Sequence, residues 1–412
     1  LDIEPQASKE FTVPVGNLKP QAGTEYFVNF NVTTVEKEPL IPIGHEIACD
    51  QFRLPIESPK KAFKTSGPKL TVSTNGDNLS ASSSKVNFVF NRKTGIVTSY
   101  KVDGTEYFSE GFGIQPNFWR APTDNDYGNG MPKRLQVWKE SSKNFNVTDA
   151  TVTMDGNNAV VNVNYLLPAG NLYIVNYTIY PSGAVNVAAR FTSTDMDAAQ
   201  TEVSEATRTA TFTPGRDAAR KEASKLNVPR IGVRFRLPAS MNQVEYFGRG
   251  PAENYLDRNA GSMVGLYKST AEELYFPYVR PQENGHHTDT RWVSLSTGKK
   301  GLLIQADNTI GFNALRNSIE DFDDEEATGL SRQWSNFTPE QVANHDEAAA
   351  KNVLRRQHHI NNITPRDFVE VCVDLKQQGV AGYDSWGSRP EPAYTLPANR
   401  EYNWGFTLIP LK

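Results

Sequence analysis

Residues 276–292 carry the densest set of side chains that could do chemistry. The stretch holds two arginines, two carboxylates, two adjacent histidines, one asparagine and three aromatic rings. Flat rings stack on a sugar and fixed polar groups bind its hydroxyls, so this composition is typical of a site for a polyhydroxylated ligand. A buried arginine–carboxylate network that holds a long loop in place would use the same residue types. The residues alone leave both alternatives open.

Local backbone signals predict how these side chains are placed. Asn284-Gly285 is typical of a turn, because both residues tolerate a positive φ. Residues 290–296 alternate apolar and polar, which predicts a strand leaving that turn. Adjacent side chains on a strand face opposite ways, so only one of His286 and His287 would reach a shared site. The residues that we expect on a ligand-facing concave surface are Arg280, Glu283, Asn284, His286, Asp289 and Arg291.

Composition and charge narrow the class of protein. The chain has 412 residues, a formal net charge of −4 and no dense run of Lys and Arg, which argues against a nucleic-acid partner. No apolar run approaches the roughly 18 residues of a membrane span. Cys49 and Cys372 lie in no metal-ligand spacing, so we expect two buried thiols and no metal site. The first residue is Leu, not Met, and we expect a segment of a longer polypeptide, bacterial and either periplasmic or cytoplasmic.

Alternating hydrophobicity and turn residues predict an all-β chain with a boundary near its start. Residues 1–57 predict part of an immunoglobulin-like β-sandwich, with strands at 10–15, 25–33 and 41–52. Residues 58–68 are polar and bounded by prolines, which predicts a linker. Residues 69–412 predict a large antiparallel two-sheet sandwich with few helices. The runs that predict its strands are 86–90, 96–100, 159–167, 172–180, 184–191, 231–237, 243–247, 291–296, 301–306, 368–375 and 402–408, and the helix candidates include 132–140 and 339–350.

Three further segments combine charge with tight turns. Arg120 precedes Asp124 and Asp126, and the spacing predicts charge-assisted hydrogen bonds between the guanidinium and these carboxylates. The segment 253–258 holds Glu253, Asp257 and Arg258, which we expect to lock a turn. The loop 378–387 is rich in glycine and carries Trp386, and an aromatic ring in such a loop suits stacking on a ligand.

Together these segments resemble the C-terminal part of a glycoside hydrolase family two β-galactosidase. The resemblance rests on four ordered motifs, which are 120–126, 253–258, 277–285 and 384–387, and it covers about residues 69–412. It implies a large antiparallel supersandwich similar to galactose mutarotase. It also implies that Asp384 and Trp386 belong to a loop that reaches the sugar, although Ala381 and Tyr383 replace a glycine and a polar residue that are frequent there.

The resemblance also implies what this chain lacks. A retaining glycosidase needs two carboxyl groups about 5 Å apart, which this family places on a (β/α)8 barrel of about 250 residues, and no alternation of strands and helices suggests one here. The Mg²⁺ and Na⁺ of the family would lie in that barrel. We therefore expect a non-catalytic region whose partner is the barrel of the same polypeptide and whose ligand is a β-galactoside. A homo-oligomer is possible, and the sequence leaves this open. The alternative is an independent carbohydrate-binding module with a concave groove.

Overall fold

The computed structural model of the chain describes residues 3–192, 226–323, 360–384 and 387–412. The helix predicted at 339–350 and the side chain of Trp386 therefore lie outside the described residues. The chain divides into two compact units, Leu1–Phe63 and Lys64–Lys412. The division falls inside the segment 58–68.

The first unit contains one antiparallel hairpin. Its strands are β1 (Phe27–Thr33) and β2 (Glu46–Arg53), and Val28 lies opposite Phe52 in their register. The strand predicted at 10–15 is wrong, because these residues are irregular and bond to no neighbouring strand. Pro14 lacks the N–H that a ladder would need. Cys49 is exposed on β2, so the prediction of a buried thiol is wrong there, while Cys372 is buried as expected.

The second unit is built from two sheets, and its all-β prediction is confirmed. A five-stranded sheet contains β3 (Thr71–Asn75), β4 (Asn78–Ser82), β5 (Val86–Asn91), β6 (Ile96–Val102) and β7 (Thr105–Glu106). A twelve-stranded sheet contains β8 (Gln115–Asn117), β9 (Asn146–Asp155), β10 (Asn158–Leu166), β11 (Leu172–Ile179), β12 (Val185–Thr192), β13 (Arg230–Pro238), β14 (Gln243–Gly250), β15 (Met263–Thr270), β16 (His287–Ser296), β17 (Gly301–Leu315), β18 (Phe368–Gln377) and β19 (Tyr402–Leu411).

Every strand pair in the described part of the chain is antiparallel, and the predicted hairpin β5–β6 and meander β10–β11–β12 are confirmed. Side chains alternate between buried and half-buried along β10, as the period of two requires. The two sheets pack face to face through aromatic rings. Phe88 lies 5.6 Å from Tyr177 between ring centroids, and the Tyr100 hydroxyl donates to the Gly183 carbonyl at 2.6 Å.

Helices are short in the described residues. They are α1 (Asp124–Gly128), α2 (Met131–Arg134), α3 (Gln136–Ser141) and α4 (Ile319–Phe322). The helix predicted at 132–140 is therefore present but broken at Leu135. Of the helices in these ranges, none has the length and apolarity to cross a membrane. The most important for the site is α1, which begins at a capping box formed by Thr123 and Asp126.

Candidate functional site

The loop 378–388 is held at both ends by one side chain. The Asn125 amide donates to the Val380 carbonyl at 3.3 Å and to the Ser388 carbonyl at 2.6 Å. Inside the loop, the Ser388 hydroxyl accepts hydrogen bonds from the N–H groups of Gly382 and Tyr383 at 3.2 and 3.1 Å. The loop that follows β18 is therefore closed on itself and tied to α1.

A second contact braces the start of the same loop. The Asp257 carboxylate accepts hydrogen bonds from the N–H groups of Val380 and Ala381 at 3.1 and 2.7 Å, and the Arg258 guanidinium donates to the Ala381 carbonyl. The predicted turn exists, because the Arg258 N–H donates to the Tyr255 carbonyl at 2.8 Å. However, the side chains of Asp257 and Arg258 reach beyond that turn and hold another segment. The sequence could not indicate that partner, which lies more than 120 residues away.

The side chains of Asp124, Asn125 and Asp126 point in three directions from α1. Asp126 forms a two-pronged ion pair with Arg120, with N–O distances of 2.5 and 3.2 Å, and both side chains are buried. The predicted pair between Arg120 and Asp126 is thus confirmed. Asp124 does not join it, because it lies at the surface with Arg280, at 3.4 Å between Oδ1 and Nη1. Residues 124–126 therefore link the buried ion pair with Arg120, the loop 378–388 and the segment 277–285.

Glu253 connects the segment 253–258 with the segment 277–285. Its carboxylate accepts hydrogen bonds from the Gly285 N–H at 2.6 Å and from the Tyr278 hydroxyl. Burial raises the pKa of Glu253, while these hydrogen bonds oppose the rise. Three segments that are far apart in sequence and the loop 378–388 therefore form one connected cluster of hydrogen bonds and ion pairs. We call it the loop-anchoring cluster, and it contains residues 120–126, 253–258, 277–285 and 378–388.

Behind this cluster lies a buried polar network. Arg230 donates to Glu283 at 3.2 Å and to Asn313 at 2.7 Å, and its Nε is 3.1 Å from Asp374 Oδ2. Gln377 also donates to Glu283, at 2.9 Å. Burial raises the pKa of Asp374 to about 7 against the opposing effect of the Arg230 guanidinium.

The sequence predictions did not include Arg230, Asn313, Asp374 and Gln377. A signal for one of them was present in β18, whose polar residues Glu370, Cys372 and Asp374 alternate with valines in a strand that is buried on both faces. Buried polar residues are hydrogen-bonded as a rule, so such a pattern indicates a polar layer between the sheet and whatever covers it. The sequence did not indicate which residues cover it.

The structure brings three of the predicted concave-surface residues together. Glu283, Asn284 and His286 are 5%, 2% and 1% exposed. The Glu283 side chain belongs to the buried polar network, whereas the Asn284 side chain bonds to the Phe276 N–H and the Gln282 carbonyl. His286 Nδ1 lies 2.9 Å from Asn313 Oδ1, and burial together with Arg230 lowers the pKa of the imidazole. His287 points the other way, between the carbonyl oxygens of Pro251 and Gly285 at 3.2 and 3.1 Å. The expectation that the two histidines diverge is met.

The other three predicted concave-surface residues, Arg280, Asp289 and Arg291, lie away from the buried polar network. The Arg280 guanidinium stacks over the Tyr127 ring at 3.9 Å from its centroid. Asp289 pairs with Arg249 at 2.6 Å, and Arg291 donates to the Asp289 carbonyl at 2.5 Å. Asp384 is exposed on the loop, where its Oδ1 accepts a hydrogen bond from the Ser388 N–H at 3.3 Å.

The buried network leaves little internal space. A cavity of about 20 Å³ is lined partly by Arg230, Glu283, Asn313 and Cys372. A single water needs roughly 10–15 Å³, so this cavity accommodates about one water molecule and not a sugar ring. Among the described residues, no three His, Cys, Asp or Glu side chains are grouped to hold a metal ion. The Mg²⁺ and Na⁺ that the resemblance implies were expected in the barrel and not among these residues.

Comparison with known proteins shows the family to which this chain belongs. Residues 82–408 match the family model described as the β-galactosidase small chain. The chain belongs to this family. Residues 1–55 match the model described as β-galactosidase, domain 4.

Individual relatives agree with this assignment. A β-galactosidase from Priestia megaterium is 30% identical over all of this chain, which covers 34% of that protein. A β-galactosidase from Streptococcus thermophilus is 25% identical, also over all of this chain and 34% of its own length. A β-galactosidase small subunit from Latilactobacillus sakei is 27% identical over 78% of this chain and 92% of that protein. The chain spans about a third of the length of the first two relatives.

Solved structures of low sequence identity also match. A galactose 1-epimerase from Lactobacillus acidophilus covers 83% of this chain at 7% identity and a TM-score of 0.38, with 97% of its own chain matched. A galactose mutarotase related enzyme from the same species covers 81% of this chain at 10% identity and a TM-score of 0.39, again with 97% of its own chain matched.

Proposed function

We propose that this chain is the non-catalytic C-terminal region of a β-galactosidase that hydrolyses terminal β-D-galactosides with retention. The catalytic carboxylates would belong to a (β/α)8 barrel in the same polypeptide. The role of this region would be to support the barrel and to hold the loop 378–388 toward the bound sugar, with Trp386 as a stacking wall. Family membership and the partial coverage of the relatives support the proposal that this chain is a non-catalytic region of a larger enzyme.

The loop-anchoring cluster is the observation that supports the proposed role of the loop 378–388 at the bound sugar. Ordering a surface loop costs conformational entropy, and direct hydrogen bonds from the segments 120–126 and 253–258 to the loop offset that cost. Asn125 and Asp257 hold backbone groups of the loop, and Asp126 beside Asn125 is fixed by its buried pair with Arg120. Such support suits a loop that must present side chains at a defined place.

The test uses the complete enzyme that contains this chain, assayed on p-nitrophenyl β-galactoside. Trp386→Ala is expected to raise KM about 5- to 30-fold with kcat little changed, because loss of an aromatic stacking contact costs about 1–2 kcal/mol. Trp386→Phe keeps a flat ring and serves as the matched variant, with a smaller expected increase. The 412-residue chain by itself is expected to give no turnover.

Two results would contradict the proposal. Turnover by the isolated chain would show that it carries catalytic groups of its own. An unchanged KM in Trp386→Ala would remove this side chain from the substrate site while leaving the supporting role of the region intact.

A further inference from the structure

Asn125 bonds to the backbone at both ends of the loop 378–388, and Asn129, just after α1, adds a longer contact to the Ser388 carbonyl at 3.4 Å. One of the Asn125 amide contacts goes to the Val380 carbonyl before the exposed part of the loop, and the other goes to the Ser388 carbonyl after it. Both neighbours are carbonyl oxygens, which only accept hydrogen bonds. The side chain must therefore present its NH₂ group to the loop, and the rotated amide is excluded because its oxygen would face two oxygens.

The residue type matters at this position. An asparagine NH₂ group has two N–H donors and can serve both carbonyls at once, whereas an aspartate has none when ionised. An aspartate would place a negative charge against two carbonyl dipoles, although it has almost the same shape. Among side chains of this size only asparagine makes this particular pair of contacts.

The base of the contact is rigid. Asn125 lies on α1 between Asp124 and Asp126, and Asp126 is fixed by the buried pair with Arg120 and by the capping box with Thr123. The backbones of α1 and the loop also approach closely, because a Cβ added to Gly387 would lie 2.5 Å from the Gly128 carbonyl carbon. Movement of the loop ends away from α1 would therefore break both the hydrogen bonds and this contact.

We propose that Asn125 is a positioning residue, which fixes both ends of the loop 378–388 against α1 and through the loop sets the KM for the galactoside. This inference deepens the proposed function and rests on it. Asn125 itself need not touch the sugar. Its effect is expected to pass through the side chains that the loop carries.

The first arm of the test measures the loop directly in the 412-residue chain. Hydrogen exchange is followed in a peptide that covers residues 379–389, in which five N–H groups are bonded to Asp257, Ser388 or Asp384. Asn125→Asp is expected to speed exchange there roughly 5- to 30-fold, since one or two kcal/mol corresponds to that factor. Acidic residues are favourable near a helix N-terminus, so this variant is expected to fold. Asn78→Asp in the five-stranded sheet is the matched control and should leave the peptide unchanged.

The second arm measures kinetics in the complete enzyme with a double-mutant cycle. Asn125→Asp is expected to raise KM about as much as Trp386→Ala while kcat stays within about two-fold, and to have little further effect in the Trp386→Ala background. A general loss of structure would instead lower the active fraction without changing KM.

The outcomes separate the two proposals. Unchanged exchange in residues 379–389, or an unchanged KM in Asn125→Asp when Trp386→Ala raises KM, would overturn the positioning role and leave the proposed function standing. Additive effects in the cycle would also overturn it. An unchanged KM in Trp386→Ala would instead overturn the proposed role of the loop, whatever the exchange result.

Discussion

Asp257 and Ala381 meet where the loop backbone enters the left-handed region. The Ala381 φ is 53°, and its N–H donates to Asp257 Oδ2 at 2.7 Å. In this conformation successive N–H groups converge into a concave anion site, and the N–H of Val380 donates to the other carboxylate oxygen at 3.1 Å. A side-chain carboxylate thus takes the place that a bound anion would occupy, and it stabilises an uncommon conformation of an alanine.

Removal of this carboxylate should weaken the fold locally. Asp257→Ala leaves two N–H groups without an acceptor, and both belong to buried residues, Val380 and Ala381, so we expect a loss of about 2–3 kcal/mol in the free energy of unfolding. Asp257→Asn keeps one acceptor oxygen and should cost about half as much. Urea denaturation of the three proteins gives these values. Equal stabilities would contradict the assignment of Asp257 as the acceptor.

Alanine substitutions at Gly387 and Gly130 distinguish backbone strain from close packing between the loop and α1. Gly387→Ala would place a methyl group 2.5 Å from Gly128 and would also strain a backbone with φ of 83°. Gly130 has a similar φ of 72° but nothing within 4 Å of the added carbon, so Gly130→Ala carries the strain alone. We expect Gly387→Ala to be the more destabilising by about 1–3 kcal/mol in thermal or urea unfolding. A smaller cost for Gly387→Ala would mean that the loop and α1 are not in close contact.

The pair of Arg120 and Asp126 should be essential for stability. Asp126→Asn removes the negative partner of a fully buried guanidinium, and breaking a buried pair from one side costs about 3–5 kcal/mol. Asp124→Asn on the same helix is the control, because this carboxylate is 58% exposed and its pair with Arg280 is worth about 0–1 kcal/mol. Calorimetric unfolding should separate the two variants clearly, and similar transition temperatures would contradict the buried pair.

Glu320 should contribute to stability only above acidic pH. Burial would raise its pKa, but Arg234 at 2.8 Å outweighs burial and lowers the pKa of Glu320 from 4.5 to about 2. A depressed carboxyl pKa adds stability that is fully present above pH 4.5 and disappears as the pH falls toward 2. Because the side chain is 37% exposed, we expect Glu320→Gln to cost only about 1 kcal/mol at pH 7.

The pH dependence of that cost is the decisive measurement. The difference in unfolding free energy between wild type and Glu320→Gln should shrink steadily between pH 4.5 and 2. Glu401→Gln, which removes an exposed partner of Arg190, should show a smaller difference at pH 7. A difference for Glu320→Gln that is constant with pH would exclude a role for its charge.

The alternative of an independent carbohydrate-binding module has its own test. Glu283, Asn284 and His286 are buried against protein groups, and the cavity beside them has room for about one water. We therefore expect no heat when the 412-residue chain is titrated with millimolar galactose or lactose. Saturable heat that Glu283→Gln abolishes would favour the module.

Local patterns in the sequence were enough to predict much of this fold. The period-two alternation in β10, β11 and β12 and the turns between them predict the meander, because side-chain direction and turn chemistry depend only on neighbouring residues. The same locality predicts the Arg120–Asp126 pair, whose members are six residues apart. It failed at residues 10–15, where a strand-like pattern has no partner strand.

The partners of the charged residues needed the tertiary structure. Nothing near Asp257 in sequence indicates that it accepts from Val380, and nothing near Glu283 indicates that Arg230 and Gln377 bind it. Antiparallel pairing of β13 with β18 sets Arg230 directly opposite Gln377, so both reach Glu283 from neighbouring strands. The sequence by itself indicated many of the strands and which segments carry charge, since these depend on short-range geometry, but it did not indicate β3, β4, β9 and β15. For charges far apart in sequence, the three-dimensional packing alone decided which of them pair, because desolvation makes an unpaired buried charge too costly and the available partners are set by long-range contacts.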